Sequence, residues 1–363
     1  MKRQVIIGFG SVLALLLVAL LISYSFYEKA KETAEKMISK EMLIMADQTA
    51  RGIEDLIKDY VVETEWLTEL PQIRKIREPE TTVFLDKERK DKPYMRLVVR
   101  EDRNGIVTYI NPPDALKGII GKDFSFRDYF KTARSTGKLA ISGMIESGQY
   151  EEVKDRFKGI VIAAPLFTPD GTFDGVLGSV IAITDIANRF VLPVTVGSKG
   201  YAWMLDGQGV TMVHPDAGSI GEKVAERNII AKSLLDRMFR GEKGFGEYTR
   251  PGEKGKKLMA FSAVKVDGHI WPVGVSVPYT EVEMLVYPIY TRLLILMIFV
   301  VGIILGGGVV FMRKAAEVRR LKDKIVALEI SIDEKKRSQD VESITETDYF
   351  RTLAEKAEEM KVE

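Results

Sequence analysis

Glu101-Asp-Arg-Asn-Gly-Ile-Val-Thr-Tyr109 is matched 104 residues later by Leu205-Asp-Gly-Gln-Gly-Val-Thr-Met-Val213. In each copy an aspartate, Asp102 or Asp206, opens a turn that a glycine, Gly105 or Gly209, closes. Asp suits the opening because its carboxylate bonds the backbone just ahead of it, and Gly suits the close because it accepts positive φ. Gly121 and Gly221 follow at similar distances. Further along, Pro169-Asp-Gly-Thr-Phe-Asp-Gly-Val-Leu-Gly-Ser-Val-Ile-Ala182 leads from a turn into an apolar strand, and Val266-Asp-Gly-His-Ile-Trp-Pro-Val-Gly-Val-Ser-Val277 does the same 97 residues later. Two matched turns in the same order predict a duplicated module of about 100 residues, each copy a strand-rich sheet with helical connections. The fold class is α+β.

Upstream of the repeat the texture is different. From Glu28 to Leu70 there is no Pro and one Gly, and apolar residues recur at Ile38, Met42, Met45, Ile53, Leu56 and Tyr60. Those steps describe one face of a helix, which Pro71 ends. At ~1.5 Å per residue the helix reaches roughly 60 Å. That is long enough to lie against more than one globular unit or to pair with a copy of itself; a solvated stalk is the alternative.

Two stretches carry no Asp, Glu, Lys or Arg: Val5 to Tyr27, 23 residues, and Leu293 to Met312, 20 residues. About 20 apolar residues in a helix cross a bilayer core, so the sequence partitions into 4 residues, a span, 265 residues, a second span and 51 residues. Lys2 and Arg3 precede the first span, and Arg313 to Lys324 has six basic residues against Glu317 and Asp323. The positive-inside rule then puts both termini in the cytoplasm and the long middle segment outside, in a two-pass protein of the cell membrane. Ser23-Tyr-Ser-Phe-Tyr27 is bulky where a signal peptidase needs small residues, so the first span is read as an uncleaved anchor. A soluble cytoplasmic enzyme is excluded by this layout.

The chain has no cysteine and two histidines, His214 and His269. Disulfides, thiolate chemistry and cysteine metal sites are excluded, and the outer segment relies on an ordinary core. Both histidines fall in the outer segment, so no histidine phosphoacceptor is available in the cytoplasmic tail. His214, beside Pro215, is read as a structural strand-end residue with metal ligation as the alternative, and His269 is read the same way. No nucleophile and base grouping, phosphate loop or metal-ligand spacing stands out. The chain is expected not to be an enzyme, to need no cofactor or metal, and to have no nucleic-acid partner.

Together, Phe126-Arg-Asp-Tyr-Phe130, Ile160-Val-Ile-Ala-Ala-Pro-Leu166, Gly200-Tyr-Ala-Trp-Met-Leu-Asp206, His214-Pro-Asp216 and Trp271-Pro-Val-Gly-Val-Ser-Val-Pro278 resemble the double Cache family of extracytoplasmic sensor domains, over about Glu28 to Tyr290. The resemblance implies two PAS-like modules on one long helix between two membrane spans. It places a cytoplasmic terminus at 1–4, a first span at 5–27, the long helix at 28–70 and a membrane-distal module at 71–190. A membrane-proximal module at 191–290, a second span at 291–312 and a cytoplasmic coiled coil at 313–363 follow. It also implies ligand binding without chemistry, usually in the distal module.

Amino-acid-binding members carry Arg-x-Trp-Tyr, which corresponds here to Arg127, Tyr129 and Phe130, with Lys122 in place of a tyrosine five residues earlier. The aspartate that holds the ligand's ammonium in those members corresponds to Val180 or Ser179. An ammonium facing Val180 would be desolvated without a counter-charge, so a small organic carboxylate or other anion is favoured over an α-amino acid. In that reading Arg127 supplies charge through its planar donors, and Tyr129, Phe130, Met144 and Val180 wall an apolar cavity. Glu146 stands in for the missing aspartate. A role for Arg127 inside the module's own structure stays open, as does a protein-docking module with no small ligand. Tyr150 to Lys158 alternates charges and is read as a solvated loop or a lid.

After the second stretch, Gly302-Ile-Ile-Leu-Gly306 offers small residues four apart, and Val318, Leu321, Ile325, Leu328 and Ile332 step by three and four. That is a coiled-coil seam of about two heptads, consistent with a homodimer. Ser343 to Glu346 reads as a capping box for a last helix through about Met360. Fifty-one residues do not hold a kinase or a cyclase. A separate cytoplasmic signalling protein is therefore expected, unless the sequence is the sensory portion of a larger kinase or chemoreceptor.

Overall fold

The computed structural model describes residues 2–115, 118–146, 158–226, 230–250 and 255–360. The chain divides into two compact units, Tyr24–Pro288 and a second formed by Met1–Ser23 with Ile289–Glu363.

α1 (Lys2–Glu69) is a single helix. Ile38, Met42, Ala46, Ala50, Ile53, Ile57, Tyr60, Thr64 and Leu67 are all buried along it, at the three-and-four spacing of one helix face. Met45 and Leu56, counted in that face from the sequence, lie half-buried at its border, while Ala46 and Ile57 hold the centre. Gly52 is the one glycine of the stretch because the Phe190 ring lies where a side chain would be: an added β-carbon would come 2.9 Å from it. Pro71 does end the helix. It is the first residue of the one-turn α2 (Pro71–Arg74), and α3 (Glu80–Asp91) follows.

Two antiparallel sheets come next. β1 (Met95–Asp102), β2 (Val107–Asn111), β3 (Ala140–Ile141), β4 (Ile145–Glu146), β5 (Lys158–Phe167) and β6 (Phe173–Ala182) form the first, in the order β2-β1-β6-β5-β3 with β4 also on β5. β7 (Tyr201–Leu205), β8 (Thr211–Val213), β9 (Gly244–Tyr248), β10 (Lys257–Val266) and β11 (His269–Pro278) form the second, in the order β8-β7-β11-β10-β9. α5 (Ile183–Ile186) and a π-helical turn, Ala187–Val191, connect them.

The repeat holds at the level of single hydrogen bonds. Asp102 Oδ1 accepts from the N–H of Asn104 at 2.8 Å and Ile106 at 2.9 Å, and Asp206 Oδ1 accepts from Gln208 at 2.9 Å and Val210 at 2.8 Å. Gly105 and Gly209 both have φ of 82°. Val107 N–H donates to Lys122 O and Thr211 N–H to Glu222 O, while Phe124 N–H donates to Gly105 O and Val224 N–H to Gly209 O. These pairs fix which residues of the two modules correspond.

Each sheet is covered twice. One face of both packs on α1 in a shared core that includes Val98, Ile162, Leu177 and Ile181 from the first sheet and Leu258, Val273 and Val275 from the second. The other face of the first sheet carries α4 (Asp128–Thr136) through Tyr129, Phe130 and Ala133, and that of the second carries α6 (Lys232–Phe239) through Leu235 and Met238. The modules also meet directly: His269 Nε2 lies 2.7 Å from Ile141 O, and Ile141 N–H donates to Asp267 Oδ2 at 3.3 Å. His269 is thus a bridge between β3 and the β10–β11 turn.

Trp203 donates from Nε1 to Ser276 Oγ at 2.7 Å and lays its ring over Gly274, where a β-carbon would run into the indole. Gly274→Ala is expected to cost about 1–3 kcal/mol by overpacking and to shift the near-UV circular dichroism of the tryptophans. An unchanged melting temperature and spectrum would contradict this packing.

α7 (Thr280–Thr345) begins two residues after β11. By length and composition it is the one helix among the described residues that is long and apolar enough to cross a membrane. In the unit that holds its later part, Val318, Leu321, Ile325, Leu328 and Ile332 are exposed in the single chain. The last helix is α8 (Asp348–Glu359), so the expected start at Ser343 is corrected. Ser343 Oγ donates back to Asp340 O at 2.8 Å inside α7; helix formers on both sides let α7 run through it, and the break falls at Thr347, the residue before α8.

Candidate ligand-binding site

The residues singled out from the sequence divide by strand parity and helix face. α4 turns Tyr129 and Phe130 onto the first sheet, where both are buried with Val180, Val99 and Val161. Val180 lies on β6 between Leu97 of β1 and Val161 of β5. Ser179, the alternative position for the missing aspartate, points to the α1 side among Val98 and Ile162, and its Oγ has no hydrogen-bond partner among the described residues. Arg127 is the residue before α4, with extended backbone, and its guanidinium lies 5.5 Å from the Phe124 ring and 5.0 Å from the Phe126 ring. Such stacking orients the guanidinium plane.

Three of the proposed contacts fall elsewhere. Met144 packs against the α1-side core, so it is not brought to Tyr129 and Phe130; its neighbour Ile145 packs on that face instead. Glu146 is exposed on β4, its backbone in register with Lys158 at the start of β5. Lys122 is exposed, and its carbonyl accepts the Val107 N–H at 3.0 Å. Most of the charged Tyr150–Lys158 stretch lies outside the described residues, Lys158 excepted.

The group that dominates this face is one that the sequence reading passed over. Glu101, on β1, is only 1% exposed. Tyr129 Oη donates to its Oε1 at 2.7 Å, and its Oε2 has no hydrogen-bond partner among the described residues. Burial pushes its carboxyl up to about 8, against the Tyr129 hydrogen bond and the Arg127 charge, which pull it down. At neutral pH it is therefore a carboxylic acid with a hydroxyl to donate. An orphaned buried acid beside a stacked arginine is costly for a core and ordinary for a binding site.

The second module has a small half-open cleft of about 30 Å³ on its α6 face, with Trp203, Val224, Tyr248, His214 and Arg250 among its lining. No group of metal-ligating residues occurs among the described residues.

A family model described as a Cache domain matches residues 27–285. The chain belongs to the Cache domain family. Solved Cache-like folds agree. The periplasmic sensory domain of the Campylobacter jejuni chemoreceptor Tlp1 superposes with a TM-score of 0.55 at 14% identity, covering 69% of this chain and 98% of that one. The ligand-binding domain of the Pseudomonas aeruginosa amino acid chemoreceptor PctB with L-Arg gives 0.52 at 20%, over 70% and 93%. That of the Pseudomonas fluorescens chemoreceptor CtaA with L-serine gives 0.50 at 20%, over 67% and 98%. Among curated proteins there was no significant sequence match.

Within this Cache fold Glu101 had a readable signal. Leu97, Val99 and Glu101 alternate along β1, and the repeat counterpart of Glu101 is Leu205. A carboxylate stands where the period-two pattern and the duplication both call for an apolar side chain.

Proposed function

We propose that this Cache chain is a membrane-anchored sensor whose first module, the distal one, binds a small organic carboxylate and passes the event through α7 to a cytoplasmic partner. The observation that carries the ligand site is the buried Glu101 acid held by Tyr129, with its Oε2 unpartnered among the described residues and the Arg127 charge near enough to pull its carboxyl down. A neutral acid donates a hydrogen bond to a carboxylate, Arg127 supplies the charge, and Val180 and Phe130 offer apolar walls. Solved neighbours bound to L-Arg and L-serine favour a second reading, an amino acid, in which Glu101 ionises to face the ammonium.

Calorimetry of the full chain in detergent, in buffers of different ionisation heat at pH 7, separates the two. A carboxylate bound by protonated Glu101 exchanges almost no protons, and its affinity falls as pH rises through about 8. Release of close to one proton per ligand would instead identify the amino acid.

For transmission, β11 runs through Tyr279 into α7. Tyr279 Oη donates to Glu35 Oε2 at 2.9 Å, and Ser198 Oγ donates to Glu281 Oε1 at 2.6 Å. Movement of the sheets on α1 is thereby coupled to the start of α7. A ligand moves this equilibrium only by binding one arrangement better. The exposed Val318 to Ile332 seam would pair with a second copy, and the cysteine-free sequence lets single cysteines report on it. Disulfide yields along the seam should change with ligand; identical yields would remove this route.

A further inference from the structure

β3 is the two-residue edge strand of the first sheet, and side chains of the second module close its outer side. Ile141 N–H donates to Asp267 Oδ2 at 3.3 Å. Its carbonyl lies 2.7 Å from His269 Nε2, which therefore carries the ring proton, because a carbonyl only accepts. Both backbone groups that an edge strand leaves open are thus satisfied by one turn.

That turn differs from its counterpart in the first module. β10 and β11 are paired up to Val266 and His269, which leaves Asp267-Gly268 as a two-residue turn. Both residues have positive φ, 48° and 75°, as a type I′ turn requires. Asp267 is the one non-glycine residue with positive φ among the described residues. In the matched turn Asp170 stands for Asp267 and Thr172 for His269. There the carboxylate accepts from the Thr168 hydroxyl and, at 3.0 Å, from the Thr172 hydroxyl, all within the turn. In the second copy the carboxylate is turned outward, and the threonine is replaced by a histidine that reaches the neighbouring module.

This clasp joins two segments that bear on signalling. Gly137, Lys138 and Leu139 alone separate β3 from α4, whose first turn carries Tyr129 and its hydrogen bond to Glu101. On the other side β11 runs from His269 to Pro278 and reaches α7 through Tyr279. The ring of Trp271, in the α1-side core, lies 5.8 Å from that of His269, so a shift of the turn meets packed side chains.

We infer that Asp267 and His269 are positioning residues that carry the state of α4 through β3 into the β10–β11 hairpin and on to α7. The path rests on the ligand reading of Glu101 and Arg127 for its stimulus. α1 is the competing path, since the same hairpin touches it where Lys265 N–H donates to Glu54 Oε2 at 3.3 Å. Contiguity alone does not choose between them; a measured response does.

Hydrogen-exchange mass spectrometry of the full chain in detergent makes the choice without any ligand. Tyr129→Phe removes the hydroxyl that holds Glu101 and so disturbs α4 at its first turn. Amide exchange should rise roughly tenfold in β3 and also from His269 to Val286, in β11 and the start of α7. With Asp267→Gly, which takes positive φ freely and keeps the turn, or with His269→Ala, the effect of Tyr129→Phe should stop at β3. Asp267→Asn keeps an acceptor oxygen and tolerates the same φ, and should restore the spread. Thermal unfolding confirms that each variant is folded, and Asp267→Gly decides alone if His269→Ala is not. Exchange that rises in the first module only, or that reaches α7 equally with the clasp cut, overturns the inference; the second result would assign the path to α1. No rise in β3 itself would overturn it too, because Glu101 would then not set α4. Failure to find a ligand for Glu101 and Arg127 alters none of these outcomes, so the two failures are told apart.

Discussion

Glu101→Gln is expected to raise the melting temperature of the full chain at pH 8.5 by about 10 °C while leaving it nearly unchanged at pH 4. The sign follows from linkage. The folded carboxyl titrates at about 8 against 4.5 for the exposed group. Its contribution to stability is complete below 4.5, declines as the unfolded chain ionises, and is gone once pH passes the folded value. The span corresponds to roughly 5 kcal/mol. Glutamine keeps an oxygen for the Tyr129 hydroxyl and removes the titration. Parallel curves for the two proteins between pH 4 and 8.5 would show that Glu101 is not the buried acid described here. A binding residue whose removal stabilises the fold is a common consequence of keeping an active group under strain.

Arg127→Ala is expected to weaken carboxylate binding in the first module by about 100-fold, the scale of a lost charge-assisted pair. The same change should push the Glu101 carboxyl higher still, because the Arg127 charge is one of the interactions holding it down. Arg127→Lys keeps the charge but not the planar pair of donors or the stacking between Phe124 and Phe126, and should recover only part of the affinity. Two readouts, ligand affinity and the titration of Glu101, thus move together. If affinity were unchanged while Glu101 shifted, Arg127 would be a structural neighbour of the acid and no ligand contact.

The fold was legible because its devices are local. Asp102 and Asp206 bond the backbone of their own turns, and Gly105 and Gly209 take the same positive φ, so a nine-residue match carried a whole module. The buried face of α1 was visible for the same reason, since helix period and burial coincide, although Met45 and Leu56 were placed one residue off its centre. Met144, the residue before the two-residue β4, packs on the α1 side, and a strand that short shows no alternation from which its face could be read. Val180 lies on the same face of the first sheet as Tyr129 and Phe130. Glu101 escaped notice because the adjacent Asp102 explained the charge locally. The acid's significance lies in Tyr129, 28 positions away, and distance in sequence hides such a pair.

The most direct test of the ligand-sensing claim is a thermal-shift panel of short-chain carboxylates, hydroxy acids and L-amino acids on the full chain at pH 7, run beside Arg127→Ala and Glu101→Gln. A compound that binds the folded state stabilises it by about 2.7 kcal/mol at a hundred times its dissociation constant, which such a panel resolves. At least one carboxylate should raise the melting temperature of the unaltered chain, lose most of that shift in Arg127→Ala and keep it in Glu101→Gln, whose amide N–H replaces the acid's donor. No stabilising compound, or a shift that survives intact in Arg127→Ala, would contradict a carboxylate held by Arg127 and Glu101.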